Sequence, residues 1–319
     1  MSDDCAPDPR ARLGLGLAAV GRPAYITLGR GTDLAGDRSR AALEARTHEL
    51  LDAATALGTT YVDAARSYGE AERFLASWLQ RSGQRPFVAS KWGYRYTGGW
   101  QLDAERHEVK EHTAVAFQRQ WTETRELLGP WLRLYQVHSL TLDSPLWEDR
   151  ALLGRLAELR DAGTEVGFST SGPAQAEAVR RGIALEVGGT RLFSSVQSTW
   201  NLLERSAADA LAEASAAGLR VVVKEGMANG RLAGGSADAA PLDGPAREAG
   251  AGTDALALAA VLAQPWCDVA LSGAVTVAQL RSNAAAVGVP DEAAAAALDA
   301  VRPLAAEEYW TQRGRLPWQ

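Results

Sequence analysis

Short apolar runs alternate with helically spaced apolar positions along most of the 319-residue chain. The runs Leu13–Leu17, Thr60–Asp63, Phe87–Lys91, Leu134–His138, Glu165–Ser169, Phe193–Gln197, Leu219–Lys224 and Asp268–Ser272 have the length and composition of buried strands. Between them, Leu43, Leu50, Leu51, Ala54 and Leu57 fall on one helical face, as do Phe74, Leu75, Trp78 and Leu79. Further helices are marked by Leu152, Leu153, Leu156 and Leu159, by Ala176, Val179 and Ile183, and by Ala207, Ala210, Leu211 and Ala214. Ala255–Leu262 and Val277–Val287 supply the last two of the alternation. Gly58, Gly163 and Gly218 each stand between a helix and the next strand, where a left-handed residue ends a helix at little cost.

Eight strands, each followed by a helix, leave an open doubly wound sheet or a closed barrel. No composition break divides the chain, and the repetition runs continuously to residue 287. This favours a single-domain α/β protein, a (β/α)8 TIM barrel with an extra Ala-rich C-terminal helix at Asp291–Val301. Residues 1–10 read as a flexible tail, and the Gly-, Ala- and Pro-rich stretch 230–252 as a mobile loop. Gly14-Leu15-Gly16 imitates the start of a dinucleotide fingerprint, but that motif must open a helix. Here it runs into Val20-Gly21-Arg22-Pro23, so small residues in a barrel strand are the better account.

Composition narrows the function. A net charge of −6 gives no basic face for nucleic acid, and no apolar run approaches the roughly 18–20 residues that span a bilayer. The acidic N-terminus is unlike a signal peptide, which points to the cytoplasm. Cys5 and Cys267 are too few and too far apart for a disulfide framework or a metal site. Of the 33 basic residues only Lys91, Lys110 and Lys224 are lysines. Lys110 lies in a charged stretch and reads as a surface residue, whereas Lys91 and Lys224 end apolar strands. A lysine there suggests chemistry that needs an amine, because arginine does not give up its proton.

Catalytic groups of a barrel project from the C-terminal ends of its strands. Those ends carry Asp63, Lys91 and His138, with Tyr68 on the loop after Asp63. Each has an ordinary structural reading alone: a cap, an ion pair, a satisfied histidine, a half-buried aromatic. Together they suit proton transfer. An ammonium favours ionisation of the tyrosine, a carboxylate holds the ammonium, and a histidine donates a hydrogen bond to a carbonyl oxygen turning negative. No side chain supplies hydride, so carbonyl reduction by this set implies a nicotinamide cofactor.

At these residues the chain resembles the aldo-keto reductases. Asp63-Ala64-Ala65-Arg66-Ser67-Tyr68-Gly69 is similar to the family's D-x-A-x-x-Y-G, followed by Ser90-Lys91 and Val137-His138. The likeness continues through Gly167-Phe168-Ser169, Val196-Gln197-Ser198-Thr199-Trp200-Asn201, Ser272-Gly273-Ala274-Val275-Thr276 and Gln279 to Asn283. It implies that Asp63, Tyr68, Lys91 and His138 form the catalytic tetrad. Ser169, Thr170 and Gln197 would hold the nicotinamide carboxamide, Thr170 standing where Asn is usual. Lys224, Gly226, Met227, Gly273, Ala274, Val275, Thr276, Gln279 and Asn283 would line the rest of the cofactor site. Lys224 replaces the usual stacking aromatic. The segment Gly273–Gln279 has no base for a 2′-phosphate, which leaves Arg281 or the helix amides near Thr276. NADP(H) is slightly favoured over NAD(H) on this reading. The substrate would be a small carbonyl compound in a pocket of Tyr25, Trp92, Trp100 and Trp200. Two other readings of the same fold are a non-catalytic nucleotide sensor and a lyase using Lys91 as a Schiff base.

Overall fold

The computed structural model describes residues 12–34 and 36–319; the expected tail at residues 1–10 lies outside them. Eight parallel strands close a barrel in which β1 (Leu13–Gly16) pairs with both β2 (Tyr61–Asp63) and β8 (Val269–Ser272). Between these come β3 (Phe87–Trp92), β4 (Leu132–Val137), β5 (Glu165–Ser169), β6 (Ser195–Thr199) and β7 (Arg220–Lys224). The helices that return the chain are α1 (Arg40–Ala56), α2 (Ala71–Ser82), α3 (Ala114–Leu128), α4 (Arg150–Asp161) and α5 (Gln175–Ile183). They are completed by α6 (Ala208–Ala216), α7 (Thr253–Leu262) and α8 (Val277–Ala284), after which α9 (Asp291–Ala300) and α10 (Ala306–Gly314) follow. The expected barrel is the observed one. Helix α3 has no counterpart among the predicted helices because its buried face carries Gln120 and Thr124, which interrupt the apolar spacing.

The inside of the barrel is layered by the two-residue strand period. Tyr61, Ala89, Leu134, Val222, Val269 and Leu271 form one apolar cluster. Gly14 makes room for it: a Cβ there would lie 2.8 Å from Leu271 and 2.9 Å from Val269. The Gly-x-Gly of β1 is thus barrel packing. One strand step further on, Asp63, Lys91 and Gln136 replace Tyr61, Ala89 and Leu134 with polar groups. Outside the strands lies a larger core, with Trp92, Phe117, Tyr135, Leu156, Phe168 and Val196 among its members.

Helix ends follow the sequence. Gly58 (φ 86°), Gly163 (φ 95°) and Gly218 (φ 83°) all adopt the left-handed conformation expected of them. Ser39, Thr113, Asp149 and Thr276 cap α1, α3, α4 and α8 through side-chain oxygens. The stretch 230–252, expected to be a mobile loop, is folded into short helical turns. Its Leu232, Leu242 and Ala246 bury against Leu256, Val301 and Tyr309, so apolar residues spaced through a Gly-rich sequence anchor it. Lys110 is half-buried and donates to the Thr141 hydroxyl at 2.6 Å, so it is not the solvated surface residue expected. It belongs to a hairpin, Tyr94–Tyr96 with Glu108–Lys110, that covers the barrel mouth. Among the described residues, no helix is long and apolar enough to cross a membrane.

Candidate active site

The site is built from the top of β2, β3 and β4. Lys91 is fully buried, ion-paired to Asp63 Oδ1, and donates to the Ala64 carbonyl at 3.0 Å. The other carboxylate oxygen of Asp63 accepts from Gln197 Nε2 at 2.9 Å and more weakly from Gln136 Nε2 at 3.4 Å. Lys91 Nζ stands 3.4 Å from the Tyr68 hydroxyl, and His138 Nε2 lies 3.5 Å from the same oxygen. Lys91 and His138 therefore meet at the Tyr68 phenol oxygen, and Asp63 joins the group through Lys91. Both contacts to that oxygen are at the long end of hydrogen-bond range.

Tyr68 is fixed at the level of the backbone. Gly69 has φ 63°, and a Cβ on it would sit 2.5 Å from the Gly21 carbonyl oxygen. A Cβ on Gly21 would in turn lie 2.3 Å from the Tyr68 carbonyl oxygen. The loops after β1 and β2 touch through these two glycines, and Glu70 N–H donates to the Gly21 carbonyl at 2.8 Å. This contact brings Arg22, which is 1% exposed, beside the tyrosine.

Electrostatics set the protonation states. Burial pushes the Tyr68 hydroxyl well up, Asp63 adds to this, and Arg22 opposes it. Tyr68 is therefore a neutral donor at physiological pH. Burial, then Lys91, Lys224 and Arg22, hold His138 well below its ordinary value, so its imidazole is neutral. A neutral imidazole donates from one nitrogen and accepts at the other.

Beside this cluster lies a cavity of about 650 Å³. Asp63, Tyr68, Gln197 and Lys224 line it on the side of the Tyr68 cluster, and Gly226, Met227, Gly273, Ala274, Val275, Gln279 and Asn283 line the remainder. Its wall also includes Gly230, Gly234 and Gly235 from the folded stretch. No atom lies within 4 Å of where a Cβ on Gly273 would be, so the glycine leaves open space. A cleft of this volume with glycines in its wall has room for a nicotinamide dinucleotide beside the Tyr68 cluster. Thr276 stays out of the wall and caps α8, its hydroxyl accepting from Gln279 N–H. Arg281 is exposed and is not part of the lining.

Ser169 and Thr170 are fully buried and do not line the cavity. Ser169 Oγ accepts from Ser139 N–H at 2.8 Å, and Thr170 Oγ1 lies 2.5 Å from Ser198 Oγ. Of the four aromatics expected around substrate, only Tyr25 reaches the cavity wall. Trp92 follows Lys91 in the same strand and so points the other way, into the outer core against Phe117. Trp200 packs edge-on to Trp266. Trp100 is half-buried, donates its ring N–H to the Arg38 carbonyl and lies under the Arg40 guanidinium.

Several site residues carried no local signal. Glu225, at φ 57°, is buried and accepts a bidentate pair of hydrogen bonds from Arg313 of α10. Burial alone would raise its carboxyl, but Arg313 and then Lys224 hold it near 2. Lys224 Nζ donates to Thr199 Oγ1 at 2.7 Å and lies 3.8 Å from Glu225. Glu204, the other buried acid near this strand end, accepts from Gln175 and Ser206. The C-terminal segment returns to the mouth as well: Tyr25 and Gln319 exchange backbone hydrogen bonds, and Trp318 stacks on His107 at 4.3 Å. Among the described side chains, Asp33 and Asp254 are the remaining charged groups on the cavity wall.

The fold defines a class, and comparison with known proteins agrees with it. A sequence model of the Aldo/keto reductase family matches residues 27–302, and the chain belongs to that family. It is 30% identical over 139 residues to an aldo-keto reductase of Strobilurus tenacellus, a match covering 43% of this chain and 37% of that relative. The alignment thus spans little more than a third of that relative's length. Among solved structures, an aldo-keto reductase from Bacillus halodurans in its holo form superposes with a TM-score of 0.69 at 20% identity, covering 94% of this chain and 95% of its own. A glycerol dehydrogenase from Gluconobacter oxydans gives 0.68 at 21% identity, over 91% and 90% of the two chains. A Klebsiella pneumoniae aldo-keto reductase in complex with NADPH gives 0.67 at 21% identity, over 93% of each.

Proposed function

We propose that the protein is a nicotinamide-dependent oxidoreductase that interconverts a small aldehyde or ketone and its alcohol, with Tyr68 as the proton donor. The observation that carries this is the convergence of Lys91 and His138 on the Tyr68 hydroxyl at one end of the long cavity. The cofactor, when bound, supplies hydride to the carbonyl carbon. Tyr68 gives its proton to the carbonyl oxygen, and Lys91, held by Asp63, stabilises the tyrosinate left behind. Neutral His138 donates to the same oxygen and orients the carbonyl. Gln197 donates to the Asp63 carboxylate and holds it in place. The Asp63 partnership argues against Lys91 as a Schiff-base nucleophile, since a buried, ion-paired ammonium has no lone pair to offer.

The wall chemistry bears on the choice of cofactor. Among the described side chains its charged residues are Asp33, Asp63, Lys224, Glu225 and Asp254, and Lys224 lies at the reacting end next to Thr199. Asp33 accepts from Gln279 Nε2 at 2.6 Å, at the opening of α8. A 2′-phosphate near these carboxylates meets repulsion on the order of 1–4 kcal/mol at 4 Å. A ribose diol instead finds acceptors. We therefore infer NAD(H) in place of the slight NADP(H) preference expected from sequence.

Quenching of tryptophan fluorescence should give a Kd for NADH at least about tenfold below that for NADPH; the reverse order would refute the cofactor assignment. Turnover is tested with the tighter cofactor on short aldehydes, hydroxyketones and polyols, a panel chosen because one structural neighbour is a glycerol dehydrogenase. Cofactor binding without turnover on any of them would favour a nucleotide sensor.

A further inference from the structure

We propose that Arg22 is a positioning residue that, together with Lys91, sets the acidity of Tyr68, and that Glu108 tunes its strength. The inference rests on the reading of Tyr68 as proton donor. Arg22 comes from the loop after β1 and follows Gly21, and a Cβ on Gly69 would lie 2.9 Å from its own Cβ, so its backbone packs against the Tyr68-Gly69 turn. Its guanidinium carbon lies 5.3 Å from the centre of the Tyr68 ring, and Lys91 Nζ lies 4.9 Å from the same point. The guanidinium also sits 5.3 Å from the Tyr25 ring and 5.0 Å from the Trp318 ring.

A cation this deeply buried needs partners. NH1 donates to the Ser67 carbonyl at 3.0 Å and to Glu108 Oε2 at 2.7 Å. Ser67 precedes Tyr68, so the guanidinium grips the backbone that carries the tyrosine. Glu108 belongs to the covering hairpin, and its side chain is 24% exposed. The carboxylate at the hairpin therefore offsets part of a positive charge that would otherwise act in full on the phenol.

The groups facing Tyr68 come from every element around it: Asp63 from β2, Lys91 from β3, His138 after β4, Arg22 and Tyr25 after β1, Glu108 from the hairpin and Glu225 after β7. Asp63, Glu108 and Glu225 disfavour the tyrosinate, and Arg22 favours it. Removing Arg22 and removing the Glu108 charge should therefore move Tyr68 in opposite directions. A purely structural role for the Arg22–Glu108 pair would not produce that pattern.

The experiment is the pH profile of kcat for alcohol oxidation, where Tyr68 must be ionised to accept the proton. Arg22→Met should move the acidic limb up by about one pH unit and lower kcat at pH 7 about tenfold. Arg22→Lys should restore most of the limb. Glu108→Gln should move it down by a smaller amount. Cofactor Kd and melting temperature, measured on each variant, report folding separately. An unchanged limb in folded Arg22→Met, with only KM raised, would overturn the proposal and make Arg22 a substrate contact. If Arg22→Met does not fold, Glu108→Gln decides: a limb that stays put or rises overturns it. Wild-type protein without turnover would defeat the underlying reading of Tyr68, whereas active wild type with immobile limbs defeats this inference alone.

Discussion

Two successive layers inside the barrel are made by the same strands and by the same inward face, yet they do different work. In the lower layer β2, β3 and β4 contribute Tyr61, Ala89 and Leu134, which pack with Val222 and Leu271. Two residues later they contribute Asp63, Lys91 and Gln136, all buried and joined through the Asp63 carboxylate. The strand geometry that fills the lower layer therefore aims the upper one. A polar set of this kind is tolerable inside a barrel because each charge meets its counterpart within the layer. The lower layer supplies the stability that holds the upper one in register.

The largest effect expected is from Lys91→Met, which breaks the upper layer at its centre. Turnover should fall about 10²–10⁴-fold or more, and stability by about 3–5 kcal/mol, because Asp63 keeps a buried charge without its counterion. Steady-state kinetics and denaturant unfolding would check both; full stability with lost turnover would mean that Asp63 is neutralised some other way. Leu134→Ala strikes the layer below. It should lower stability by about 2–5 kcal/mol and leave kcat within a few-fold below the melting transition. If kcat fell as far as in Lys91→Met, the division between layers would be wrong.

Lys224 tests where the polar layer ends. It stands two residues beyond Val222, on the cavity wall, and burial brings its ammonium down to about 8, with Glu225 opposing and Arg313 and Lys91 assisting. A positive charge at this end of the cavity disfavours the oxidised, cationic nicotinamide. Lys224→Met should weaken reduced-cofactor binding a few-fold more than oxidised-cofactor binding, as read by fluorescence titration. In the wild type the charge is present below about pH 8 and is lost as pH rises through that value, so the bias toward reduced cofactor should fade in the same window. Since the folded value lies below the unfolded one, stability from this group rises with pH between the two. A bias that stays flat from pH 7 to 9.5 would assign Lys224 a structural role only.

Much of this was legible because strand ends are local. Asp63, Lys91 and His138 each stop an apolar run, and Tyr68 follows at short range, so order along the chain predicts convergence in space. The alternation that buries Trp92 away from the site was equally present, since it adjoins Lys91 in the strand. What could not be read joins distant segments. Arg313 reaches Glu225 across 88 residues and Asp33 meets Gln279 across 246. Arg22 looked like a helix breaker's neighbour, and only the contact between Gly21 and Gly69 makes it a companion of Tyr68. The short helical turns within 230–252 were not legible for a similar reason: their anchors are a few apolar residues whose partners lie in α7, after α9 and in α10.

The most direct test of the account is Tyr68→Phe, measured for turnover, cofactor affinity and melting temperature on one preparation. The account predicts carbonyl reduction down by about 10²–10⁴-fold or more, with cofactor Kd and melting temperature close to wild type. Undiminished turnover in that variant would contradict it.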